Sequence, residues 1–510
     1  MGLDVSLSIA NSGLAAISKQ FAVISQNVSN ANSPNYTNEA AALQADSAGS
    51  LGLGVRSNAA TLTVNTAVQG QVFAQGASVA YASTAAAALS GIDQVMGAPD
   101  AGTDLPSLLG NLQSQFSALD ADPGSQTQAQ AVVGAAQTLT NQINTISGAI
   151  GTARQSAQND LVTTVAGANS SLQQIATLNQ QIVALQSSGQ STADLQNQRA
   201  VAEQSLSSAL GATFVPQTDG SVLAFTSTGL SLPVDGSAPL SIANANVGAN
   251  AYYSGGSLPG GGLPGVMLGG TDVTASLTQG TIGADLTLRD GTLPTLQAGL
   301  DEFSQNLASQ FQAQGLTLFT DPNGNVPQTG TPAQSNYVGF ASEITVNPAV
   351  VATPSLVRDG TNVVTGSVTG ASAFTPNPVG GPSGFTTLIN RVLTYALGND
   401  AQAGVAQPAS NTTGLGPAGT LALAYGSQST LAGTAAAFAG AEAAESSQAT
   451  ASSAAATSLQ SALQSTLAQS AGVDVDQQMS NLVSLQNAYA ANAKVITTIQ
   501  AMWGILEQMI

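Results

Sequence analysis

Apolar residues recur every seven positions near the start of the chain. Leu7, Leu14, Phe21 and Val28 form one register, and Ala10, Ile17, Ile24 and Ala31 form the matching second. This is an a/d seam, and it predicts a helix over residues 4–31 that packs on another helix. The end of the chain repeats the arrangement. Leu482, Tyr489, Ile496, Trp503 and Ile510 share one register, Leu485, Ile499 and Leu506 the other, with Asn492 as a polar interruption. Asp474 or Asp476 is placed to cap that helix. The two helices can pair, but a two-helix unit buries too little apolar surface to be well folded alone. The pattern therefore predicts further helices supplied by other molecules.

Between the ends the periodicity changes twice. Residues 38–70 read as extended and irregular. Helical periodicity covers 71–99, 104–119 with Pro106 near its start, and 125–210, with breaks expected near Gly148, Gly151 and Gly189. From residue 211 short β-type runs appear around a turn at Asp219–Gly220, and Gly- and Pro-rich β sequence continues to about 288. A helix is expected at 292–314, turn-rich sequence to 385, a short helix at 385–397, a loop at 400–418 and Ala-rich helix from 419 onward. The expected fold is mainly α with inserted β. It is an elongated rod of long helices built from both chain ends, a terminal coiled coil plus a helical bundle, with a β-rich module inserted in the middle. The expected parts are 1–38 and 472–510 as the two halves of the coiled coil, 39–210 and 289–471 as the two strands of the helical rod, and 211–288 as the inserted module.

Composition narrows the function. Only 7% of the 510 residues are charged, against 43% apolar, so the polar surface must be mostly amides and hydroxyls. The net charge of −19 argues against nucleic acid and against an anionic membrane surface. No run of about eighteen apolar residues suggests a membrane span. The opening MGLDVSLSIANSG is acidic and amphipathic rather than a classical secretory signal. With no Cys and no His, disulfides, thiolate metal sites and His-based acid–base chemistry are excluded. No catalytic, cofactor-binding or metal-ligating set stands out. DPNGN at 321–325 reads as a turn rather than a calcium loop. The glycines of 255–270 open no helix, and Asp301–Glu302 reads as an acidic first turn of a helix.

The stretch SQNVSNANSPNYT, residues 25–37, ends the first helix with an unusual density of amides. With the helix before it, it resembles the N-terminal signature of the flagellar axial proteins, although Asn35 stands where that signature usually has Gly. NLVSLQNAYAANAKVITTIQAMWGILEQMI, residues 481–510, is similar to the closing helix of the same proteins. The segments 178–234 and 280–315 resemble the hook-associated protein 1 family in particular, with Asn197 where a second Asp is usual. The resemblance implies a structural, non-enzymatic subunit joining flagellar hook to filament. It implies export through the flagellar type III apparatus, an extracellular location on the flagellum, and assembly with itself as a helical ring. Hook protein, a second junction protein (hook-associated protein 3) and an export chaperone are the other implied partners, and no cofactor is. The implied assembly interface is Leu7, Leu14, Ile17, Phe21, Ile24, Asn27, Val28, Asn30, Asn32, Pro34 and Tyr36 with Leu482, Leu485, Tyr489, Asn492, Ile496, Ile499, Trp503 and Leu506. In that reading the amides satisfy the last helix carbonyls and neighbouring subunits without charge. A hook or distal-rod subunit is the nearest alternative, and a secreted adhesin or surface-layer protein an alternative of another class.

Overall fold

The computed structural model describes residues 2–33, 36–48, 51–255 and 261–509. Helix α1 (Gly2–Asn30) leads into a two-residue strand β1 (Glu39–Ala40), a hairpin of β2 (Leu43–Ala48) and β3 (Leu51–Ser57), and β4 (Thr61–Leu62), which pairs antiparallel with β1. The long helices α2 (Thr66–Met96), α3 (Leu105–Ala121), α4 (Gln126–Ser187) and α5 (Ala193–Leu210) follow. Strands β5 (Thr213–Pro216), β6 (Val222–Phe225) and β7 (Ser231–Leu232) form a small antiparallel sheet, and further two-residue strands lie between 240 and 272. Helices α6 (Gly280–Thr287) and α7 (Leu293–Ala313) come next, then the short α8 (Pro348–Ala352), α9 (Leu356–Asp359) and α10 (Thr387–Arg391). Finally α11 (Leu431–Ala471) and α12 (Val475–Gln508) return along the body. The architecture is mainly α with inserted β elements, as expected.

Helix α4 organises the body. At 1.5 Å per residue it is on the order of 90 Å long. Its first half packs Val132, Leu139, Ile143 and Ile146 into a core shared with α3, α7 and the 316–357 segment, where Phe116, Phe311 and Phe319 cluster. Its second half packs Leu161, Val165, Leu172 and Ile175 into a separate core with α5, β6 and α6. Gly148 and Gly151 therefore do not break the helix as expected. Each costs about 1 kcal/mol relative to Ala, but the buried Ile146 and Ile150 beside them hold the backbone in place. The break comes at Gly189, with φ +70°.

Three other expectations are corrected. The helix expected at 292 begins at Gly280, because a π turn at Leu288–Thr292 joins α6 to α7 without interruption. Asp301 and Glu302 then fall inside a long helix, not at its start, and both are 1% exposed. Asp301 accepts from the backbone N–H groups of Gly339 (2.7 Å) and Ala341 (2.9 Å). Glu302 accepts from the Tyr337 hydroxyl and the Asn411 N–H, both at 2.7 Å. Finally, α1 and α2 are both long and apolar enough to cross a membrane by length and composition. In this fold α2 lies instead against α11, α4, α5 and α6.

The inserted segment is held to α4 by side-chain amides. Asn179 donates to Val222 O (3.1 Å) and accepts from Val222 N (3.2 Å). Asn169 does the same with Leu240, at 2.7 and 2.8 Å. An amide offers one donor and one acceptor side by side, so it pairs with a backbone peptide much as a neighbouring strand would. These clamps need no charge, which is how a chain with so few ionic groups fixes loops to helices.

Candidate functional site

The two chain ends meet. Helices α1 and α12 pack along each other in antiparallel fashion. Gly13 lies against the Asn492 amide, where a Cβ on residue 13 would come within 3.0 Å of Nδ2. Further along, Gln20, Val23 and Ile24 share a cleft with Gln478, Asn481 and Leu485. Asn492, the polar interruption in the seam, thus sits opposite the one residue type without a side chain. Asp474 caps α12 by accepting from the Gln477 N–H at 3.0 Å.

Burial along the seam is graded. Ile17, Ile24, Asn27 and Ile499 are buried. Leu7, Leu14, Phe21, Val28, Asn30, Tyr36, Leu482, Leu485, Asn492 and Ile496 are half-buried. Asn32, Tyr489, Trp503 and Leu506 are exposed, and Pro34 lies outside the described residues. The face of α12 turned away from α1 carries Met479, Val483, Val495, Met502, Ile505 and Met509, all exposed.

The amides at the end of α1 do something more specific than capping. Asn27 Nδ2 donates to Glu39 O at 2.8 Å, and its Oδ1 accepts from Glu39 N at 2.9 Å and from the Tyr36 hydroxyl at 3.2 Å. Among the described residues of this cluster, only Asn30 bonds back to a helix carbonyl, that of Gln26, at 3.1 Å. A second amide, Asn197 of α5, grips the adjacent residue: its Oδ1 accepts from Thr37 N (3.1 Å) and Oγ1 (2.7 Å), and its Nδ2 donates to Thr37 O (3.1 Å). Gln26 also donates to Asp194 Oδ1 of α5 at 2.9 Å. Asn38 N–H donates to Ala471 O at 2.8 Å, and Gln478 Nε2 donates to Asn38 Oδ1 at 3.2 Å. Residues 36–39 are therefore the joint where α1, α5, α11 and α12 meet. Burial, then the Asp194 carboxylate, pushes the Glu39 carboxyl up. Burial and the neighbouring Glu39 do the same to the Tyr36 phenol. Sequence reasoning missed Thr37, Glu39, Asp194 and Asn197 as parts of this joint. Asn197 stands out in the sequence only as a departure from a familiar pattern.

Among the described residues no group of three or more acidic side chains is arranged to hold a metal. What the geometry offers is surface: a helical pair with a half-open seam and an apolar outer face, fixed to a long body through a polar joint.

Comparison with known proteins adds two family matches. The flagellar hook-associated protein FlgK helical domain matches residues 89–326. The C-terminal domain of the flagellar basal body rod FlgEFG proteins matches residues 448–509, which takes in the second half of α11 and all of α12. No curated protein matches the chain. A solved structure, the flagellar hook junction protein FlgK from Burkholderia pseudomallei, aligns with 51% of this chain at 27% identity and a TM-score of 0.40. The match spans 45% of that protein's own length. One model covers the middle of the chain and the other its closing helices, and together they support a hook-associated protein of the FlgK family.

Proposed function

We propose that this protein is a structural subunit of the hook–filament junction, assembled with itself and with neighbouring flagellar proteins through α1 and α12. The observation that carries the proposal is the outer face of α12. A helix paired on one side leaves Met479, Val483, Met502 and Ile505 in water. Exposed apolar side chains aligned on one element mark an interaction surface. In this reading the chain divides near 38, 210, 288 and 471, and the two ends form the assembly module. Half-buried Leu14, Phe21 and Ile496 and exposed Trp503 lie at the seam edge, where a neighbouring helix completes their burial. Passage of an unfolded chain through the flagellar export channel suits a sequence without cysteine, and a chaperone would cover the apolar face of α12 beforehand. A ring of copies, with hook protein on one side and a second junction protein on the other, completes the reading.

The rod-protein match over 448–509 favours a hook or rod subunit as the second reading. The helical-domain match over 89–326 favours the junction. The test is Val483→Asp with Ile505→Asp. Both side chains are exposed, so the purified subunit keeps its melting temperature, while incorporation into flagella and motility are lost. Normal motility in cells carrying only this variant would sink the proposal.

A further inference from the structure

A cleft of about 590 Å³ opens between α2 and α4, with α6 at its floor. Its walls are small residues: Ala87 and Gly91 on α2, Gly148 and Ala153 on α4. Two carboxylates also line it, Asp160 of α4 and Asp285 of α6. Asp160 is exposed, whereas Asp285 is 1% exposed and its Oδ2 has no hydrogen-bond partner among the described residues. A buried carboxylate without a donor is unfavourable, and a second carboxylate beside it adds like charge. Arg289, the cation that acts on Asp285, is engaged elsewhere. Its Nη1 donates to Gln158 Oε1 (2.6 Å) and Pro264 O (3.0 Å), and its Nε and Nη2 donate to Asp290 at 2.8 and 2.7 Å. The α2 wall contributes the Thr84 hydroxyl and no ionisable group. Thr152 and Ser156 of α4 also line it, so the cleft is a slot with mostly apolar walls and a negative end.

We propose that this cleft binds an alkylammonium ion, its stem along the alanine and glycine walls and its ammonium between Asp160 and Asp285. Two carboxylates fall short of the six or more oxygens that calcium takes, and the methyl-lined walls suit an aliphatic stem rather than a hydrated metal. A free amine and a lysine side chain of another protein share this chemistry.

Burial, then Asp160, holds the Asp285 carboxyl up to about 8, so Asp285 adds its charge to the site only in mild alkali, where a primary amine is still protonated. The test is calorimetric titration of the full chain with n-butylammonium chloride and with Nα-acetyl-lysine methylamide, at about pH 9 and about pH 6. Saturable binding is expected at the higher pH and about a hundredfold weaker binding at the lower, where roughly 1% of Asp285 is ionised. Asp285→Asn abolishes binding. Gly148→Leu does so independently by filling the slot, and it is tolerated because a Cβ there meets nothing within 4 Å. Circular dichroism verifies that both variants are folded. Binding of butylammonium alone identifies a free amine as the ligand, and binding of the blocked lysine as well identifies a partner's side chain; both support the site. No saturable heat with either amine in mild alkali, unchanged binding by Asp285→Asn, or displacement of the amine by calcium chloride at equal ionic strength would each overturn it.

Discussion

Asn27 and Glu39 exchange two hydrogen bonds, amide to carbonyl at 2.8 Å and peptide N–H to amide oxygen at 2.9 Å, across twelve residues of chain. The side chain of one residue thereby acts as the strand partner of the other, in a place where both are shielded from water. The same relationship joins Asn197 to Thr37, Asn179 to Val222 and Asn169 to Leu240. Amides stand here where many proteins use ion pairs.

Replacing Asn27 by Ala leaves the N–H and C=O of Glu39 unpaired in a buried position. The expected cost is about 1–3 kcal/mol, read from urea denaturation, together with faster exchange of the residue 39 amide. Asn32→Ala, just beyond the end of α1 and exposed, stays within about 0.5 kcal/mol. Equal effects of the two substitutions would contradict the joint.

Stability falls as pH rises from mildly acidic to mildly alkaline. Burial is the leading cause that pushes Asp285 up to about 8 and Asp301 and Glu442 up to about 7. Each therefore holds its proton more tightly folded than unfolded. Their contribution is full below the ordinary carboxyl pKa of about 4 and is lost as pH climbs to the folded values, by at most about 1.4 kcal/mol per group per pH unit. Scanning calorimetry is expected to give a higher melting temperature near pH 5 than near pH 8. A melting temperature that increases over this interval would show that these acids are ionised in the folded protein.

Glu302→Leu removes the acceptor for Tyr337 Oη and for the backbone and side-chain N–H groups of Asn411. It frees the 411 loop from α7 and costs at least about 2 kcal/mol. Urea denaturation followed by circular dichroism measures the loss, and a cost under about 0.5 kcal/mol would contradict the contact.

Removal of residues 482–510 leaves the body folded. Neither large core contains a residue of α12, so the main thermal transition moves by only a few degrees. A collapse of that transition would place α12 in the body's core.

The two terminal helices were legible in the sequence because their apolar residues recur with a helical period, and a cap at Asp474 or Asp476 because capping is local; Asp474 takes that place. The small sheet at 213–232 was legible from its Asp-Gly turn. The continuous helix through Gly148 and Gly151 was not, since the packing of Ile146 and Ile150 overrides local propensity. Nor was the start at Gly280, because a π turn leaves no periodic trace. Asp301 and Glu302 looked like dipole-stabilising surface residues, for the loops that bury them arrive from 334–342 and 411. The amides after α1 were visible as a cluster, but their partners were not: Asn197 lies 160 residues from Thr37, and only the fold brings them together.

The role proposed for this chain is to join hook to filament. Electron microscopy of cells lacking its gene tests that most directly. The expected picture is intact hooks without filaments, with filament protein released into the medium, and restoration by the wild-type chain but not by Val483→Asp with Ile505→Asp. Full-length filaments on the deletion cells would contradict the claim.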